Sequence, residues 1–119
     1  MLYSLAGTNS DIDTEGKILF IEDLDEYLYH IDRMMMNLKR SGKLKRLAGL
    51  IVGGMNDMND NDIPFGKTAY EIIADYVAVY NFPVIFDFKS GHISENLGLI
   101  IGGQVEMKVD EACSLRFLN

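Results

Sequence analysis

Cysteine is almost absent: Cys113 is the single one, so no intramolecular disulfide can form. Its short apolar segment near the C-terminus predicts a buried small side chain. No apolar run is long enough for a spanning helix, and no secretory signal is recognisable. A cytoplasmic setting is therefore expected. Basic residues are scarce, 11 Lys and Arg against 18 Asp and Glu, for a formal net charge of −7. Phosphate repulsion then opposes nucleic acid and anionic membrane surfaces as partners. Internal repeats and low-complexity segments are lacking too.

The common catalytic and ion-binding motifs are also missing. No Gly-x-Ser-x-Gly elbow exists, so Ser4, Ser10, Ser41, Ser90, Ser94 and Ser114 have no nucleophile setting. The acidic stretch Asn56–Asp62 fails as a calcium loop. Started at Asp57, it would need Gly at 62 and Glu at 68, and it has Asp62 and Thr68. Gly66-Lys67-Thr68 fails as a phosphate loop, because the earlier glycine would fall on Asn61.

What is present is a chain 48% apolar and 24% charged, 119 residues long. That is one domain with a single core. Lys17–Ile21 reads as a strand, and the unbroken run Ile18-Leu-Phe-Ile21 suits a sheet covered on both faces. Asp23 and Asp25 are placed to cap the helix that follows. Leu28, Ile31, Met35 and Leu38 form its apolar stripe. Lys39 and Arg40 complement the last turn, and Gly42 is a natural stop. Leu47–Val52 is a second buried strand, ended by Gly53-Gly54, and a polar loop runs through Phe65. Thr68 and Glu71 have capping-box form, with Ile72, Ile73, Tyr76 and Val77 as the buried face of a second helix. Pro83–Phe86, Leu99–Ile101, Gln104–Val109 and Ser114–Leu118 read as short strands. The third of these alternates and so has one wet face. The order predicts an α/β fold on a mixed sheet, with parallel crossovers first and an antiparallel tail.

Two residues stand out as chemistry. Glu22 follows the first apolar run, and ligands gather at the carboxyl ends of parallel strands. His92, in Ser90-Gly-His-Ile-Ser-Glu-Asn96, follows the third strand and should emerge on the same edge. A carboxylate that accepts from one imidazole nitrogen leaves the other free to take a proton from a nucleophile. Helix capping is the alternative role for Glu22, and an incidental loop position the alternative for His92. His30, inside the first helix, reads as structural. Met35, and with it Met34, reads as core packing.

Several segments read together carry a resemblance: Leu2-Tyr-Ser-Leu-Ala-Gly-Thr8, Gly16-Lys-Ile-Leu-Phe-Ile-Glu-Asp23, Tyr29-His-Ile-Asp-Arg-Met34, Leu47-Ala-Gly-Leu-Ile-Val-Gly53, Pro83-Val-Ile-Phe-Asp87 and Gly91-His92…Asn96. In order, and over nearly the whole chain, they resemble the C-terminal domain of the muramoyltetrapeptide (LD-) carboxypeptidase family. The resemblance implies a swivelling β/β/α domain at 16–119, preceded by an interdomain segment at 1–15. It implies a serine-type hydrolase, without metal or cofactor, that removes the terminal D-alanine from murein tetrapeptides in cytoplasmic peptidoglycan recycling. Glu22 and His92 then fall on the glutamate and histidine of a Ser-Glu-His triad. The serine and oxyanion hole would come from an N-terminal domain that this chain lacks, so the chain alone is expected to be inactive. Family members are often homodimers. Relatives that hydrolyse microcin C-type aminoacyl adenylates, and a non-catalytic binding module, are the alternatives. Where many relatives have a proline before Gly-His, this chain has Lys89-Ser90.

Overall fold

The computed structural model describes residues 1–118. A short 3-10 turn at Leu2–Leu5 is followed by β1 (Ile18–Leu24), α1 (Leu28–Arg40), β2 (Gly49–Asn56), α2 (Ala69–Val77), β3 (Val84–Ile85), β4 (Gln104–Lys108) and β5 (Ser114–Leu118). The first three strands form a parallel sheet in the order β1-β2-β3. Both crossovers step the same way along the sheet, and α1 and α2 pack against each other over one core.

The core forms because the strands alternate. Leu19, Leu50 and Val52 point toward Ile31, Met35 and Leu38 of α1 and Ala69, Ile72, Ile73 and Val77 of α2. Leu50 and Ile73 are fully buried, and each such side chain contributes roughly 1.5–3 kcal/mol by leaving water. Ile18, Phe20 and Ile51 point the other way, toward the antiparallel β4–β5 hairpin. Together with Val105, Leu115 and Phe117 they line a cleft of about 860 Å³. Gly49 permits this approach, since a Cβ there would meet Met107 Sδ at 2.9 Å. Hairpin, sheet and helices make the β/β/α layering. The antiparallel tail is a sheet of its own, and its inward residues Val105 and Met107 are half-buried between exposed Gln104, Glu106 and Lys108.

The helix ends follow from local chemistry. Thr68 accepts from the Glu71 amide at 3.2 Å while Glu71 accepts from the Thr68 amide at 2.8 Å, a complete capping box. At the end of α1, Gly42 takes φ +78°. The Gly42 amide bonds Lys39 O and the Lys43 amide bonds Leu38 O, a Schellman stop.

Four expectations are corrected. Asp23 and Asp25 do not cap α1: Asp23 belongs to β1, Asp25 turns the chain at φ +55°, and the N-cap Tyr27 makes no side-chain cap. The Leu28 amide is satisfied instead by Asn59 O, at 2.9 Å, from the loop after β2. Gly53-Gly54 does not end its strand, which runs on to Asn56. Leu99–Ile101 is not a strand. It has no ladder partner, and Ile100 and Ile101 are exposed. Cys113 is exposed, because its segment is the β4–β5 turn rather than core.

The 3-10 turn at Leu2–Leu5 packs on α1, and residues 11–15 lie against the α1–β2 connection. Thr14 Oγ1 donates to Lys43 O at 2.7 Å, and Lys43 pairs with Asp11 at 2.9 Å. No helix among the described residues is long and apolar enough to cross a membrane.

Candidate active site

Glu22 lies inside β1, two residues before its end at Leu24, rather than beyond it. Strand alternation sends it to the same side as Ile18 and Phe20, away from the helices. The register with β2 slips at this residue: Ile21 pairs with Val52, but Asp23 pairs with Met55. Gly53 and Gly54 together oppose Glu22, which is a β-bulge on β2. Only glycine fits there. A Cβ on Gly53 would lie 2.4 Å from Ser90 O, and one on Gly54 would lie 2.6 Å from Ile93 Cγ2. The bulge is held from behind by Tyr70, whose hydroxyl donates to Gly53 O at 2.9 Å. Burial pushes the Tyr70 phenol above its ordinary pKa.

The segment that fills this space carries His92. The Phe88 amide donates to Val52 O, extending the sheet beyond β3. The Gly54 amide then donates to Ser90 O at 3.1 Å, and the Leu97 amide closes the loop on Lys89 O at 2.6 Å. Gly91 turns at φ +115°. Its amide donates to Asn96 Oδ1 at 3.2 Å, and Asn56 Nδ2 donates to His92 O at 2.6 Å. The Lys89 ammonium pairs with Asp87 at 3.1 Å, which raises its pKa.

This packing brings together the two residues singled out in the sequence. His92 Nδ1 lies 2.8 Å from Glu22 Oε2, across a sequence separation of 70 residues. In the neutral ring, a carboxylate partner accepts from the Nδ1 proton and leaves Nε2 as the acceptor. No hydrogen bond to Nε2 exists among the described residues, and the His92 side chain is 60% exposed against 25% for Glu22. This is the geometry of a base whose tautomer is held from behind.

None of the serines is bonded to that imidazole among the described residues. Ser90 is buried against the bulge, and Ser94 is exposed. His30 is elsewhere, as its structural reading requires. Its Nδ1 pairs with Glu26 at 2.8 Å, and its Nε2 meets Tyr3 Oη at 3.2 Å. Burial opposes the charge on Glu26, but His30 and the Tyr27 amide together hold its carboxyl below the ordinary range. Among the described residues no three His, Cys, Asp or Glu side chains are grouped to hold a metal ion. The sequence reading missed Asn56 and the bulge. A Gly-Gly pair within an apolar strand pattern was the available sign of the bulge.

The same architecture is found in known proteins. Residues 1–107 match the family described as the LD-carboxypeptidase C-terminal domain, and the chain belongs to that family. Among its relatives is the "Probable murein peptide carboxypeptidase" of Bacillus subtilis, 37% identical over 93% of this chain and 35% of that protein. The murein tetrapeptide carboxypeptidase of Pseudomonas aeruginosa is 26% identical, over 80% of this chain and 31% of that protein. The crystal structure of muramoyltetrapeptide carboxypeptidase from Oxalobacter formigenes superposes with a TM-score of 0.83 at 27% identity, covering 98% of this chain and 41% of that one. A microcin C7 self immunity protein bound to aspartyl sulfamoyl adenosine shares the fold, with a TM-score of 0.63 at 21% identity over 74% of this chain and 26% of that one. The chain thus spans about a third of the length of the curated relatives it matches.

Proposed function

We propose that this chain is the C-terminal part of a serine LD-carboxypeptidase, and that it supplies the glutamate and histidine of a Ser-Glu-His triad. The observation that carries the reading is the 2.8 Å contact between His92 Nδ1 and Glu22 Oε2 at the bulged edge of the sheet. Membership in the LD-carboxypeptidase family supports it. The substrate is a murein tetrapeptide of cytoplasmic cell-wall recycling, and the leaving group is its terminal D-alanine.

A serine on an upstream domain attacks the carbonyl before D-alanine and gives its proton to His92 Nε2. The tetrahedral intermediate collapses, the peptide C–N bond breaks, and the same proton passes to the departing amine. Water then attacks the acyl-serine, with His92 again taking and returning a proton. Glu22 orients the ring and stabilises the imidazolium.

The test is D-alanine release from murein tetrapeptide by the intact protein that carries this domain. His92→Ala and Glu22→Gln should each lose on the order of 10³- to 10⁴-fold in kcat while remaining folded. The 119-residue chain alone should release none. Turnover near wild type in either variant, or release by the chain alone, overturns the assignment. A microcin-type aminoacyl adenylate run beside the tetrapeptide reads the substrate preference.

A further inference from the structure

The Glu22–His92 contact joins two segments 70 residues apart, and one side chain stands between them. Asn56 is the last residue of β2 and pairs with Leu24 at the end of β1. Its backbone carbonyl accepts from the Asp25 amide at 3.0 Å, which ties down the end of the strand that carries Glu22. Its side chain crosses over Gly54, whose ideal Cβ would lie 3.8 Å from Asn56 Nδ2, and donates to His92 O at 2.6 Å. The amide orientation is forced, since a carbonyl can only be met by the NH₂ group.

At the other end of the Gly91-His92 dipeptide, the Gly91 amide is held by Asn96 Oδ1 at 3.2 Å. The two asparagines therefore grip the outer N–H and the outer C=O of a dipeptide whose first residue sits at φ +115°. Asn96 belongs to the loop itself and moves with it. Asn56 is fixed in the sheet, and it adds to the Val52–Phe88 and Gly54–Ser90 backbone bonds the one side-chain bond from the strands to His92 itself.

We propose that Asn56 is the positioning residue of the site: it sets where the His92 imidazole stands relative to Glu22, and touches neither the imidazole nor the reacting atoms. Its part in turnover rests on the carboxypeptidase reading, whereas its structural part does not. Loss of its donor frees the His92 carbonyl and lets the loop drift. A misplacement near 1 Å at a catalytic base costs on the order of 100-fold in rate.

Two variants of the 119-residue chain test this by nitrogen NMR of the imidazole, at a pH where the ring is neutral. Asn56→Ala removes the side chain, and Asn56→Asp keeps its shape but cannot donate. Wild type should show His92 as a single tautomer protonated on Nδ1. Both variants should show a mixture, with the Leu97 amide exchanging roughly 10-fold faster and the amides of α1 unchanged. In the intact protein, kcat should fall on the order of 10- to 100-fold with KM held within about two-fold. A single Nδ1–H tautomer in both variants overturns the proposal. If His92→Ala and Glu22→Gln leave turnover intact, the carboxypeptidase reading fails instead, and the tautomer measurement still decides the role of Asn56.

Discussion

Replacing Gly91 by alanine should dismantle the site while sparing most of the fold. The backbone there holds φ +115°, which an L side chain adopts at a cost of about 1–3 kcal/mol. The added methyl would also lie 2.8 Å from Glu22 Oε2 and 3.1 Å from its Cβ and Cγ. Contacts that short are repulsive, so either the Glu22 side chain swings away or the loop lifts from the sheet. Both movements break the bond to His92. That bond is worth only about 0.5–1 kcal/mol, because the His92 side chain is 60% exposed. The total, about 1.5–4 kcal/mol, falls on the closed loop, since the core around Leu50, Ile72 and Ile73 is untouched. Local opening relieves it. Each kcal/mol that does reach the global equilibrium lowers Tm by roughly 3–6 °C at this size, so Tm should fall by only a few degrees. The imidazole nitrogen spectrum should meanwhile lose its single Nδ1–H form. Two controls separate the causes. Gly66→Ala meets a φ of +85° in open space and carries the backbone cost alone, whereas Gly98→Ala meets nothing within 4 Å and should be silent. A Gly91→Ala protein with the wild-type tautomer and the Tm of Gly98→Ala would refute the close-approach argument.

Other outcomes follow from the same structure. Tyr76 donates to Asp32 Oδ1 at 2.9 Å, and burial, with that bond, pushes its pKa from 10.0 to about 12. The folded state therefore holds the phenolic proton more tightly than the unfolded chain does. The resulting stability is intact below pH ~10 and is lost as pH rises toward ~12; the urea midpoint should drop across that window in wild type and drop less in Tyr76→Phe. Leu50 is fully buried between the sheet and the helices, so Leu50→Ala should cost about 2–5 kcal/mol in urea unfolding. Ile101→Ala, at a side chain 84% exposed, should stay within about 0.5 kcal/mol of wild type.

The elements that the sequence revealed are those whose signals are complete within one segment. The α1 stripe placed Ile31, Met35 and Leu38 in the core, and the Thr68–Glu71 box fixed the start of α2. The alternation of β4 identified its wet face. The failures share one cause. Leu99–Ile101 has the composition of a strand, yet a strand exists only where another backbone offers a ladder, and none does. Asp25 has the chemistry of a cap, yet the amide at the start of α1 was already taken by a carbonyl from residue 59. Cys113 sits in a short segment that read as apolar, yet its exposure was decided by the turn between β4 and β5.

The sequence by itself determined the α/β class, both helices and the identity of the two candidate site residues, because periodicity, capping and the order of the apolar runs are local consequences of side-chain chemistry. Tertiary structure alone decided that Glu22 and His92 meet. Their contact depends on a bulge at Gly53-Gly54, a glycine at φ +115° and an asparagine bridging two strands to a loop. Each of those is a relation between distant backbones, and a distance between segments 70 residues apart is fixed only when the chain packs.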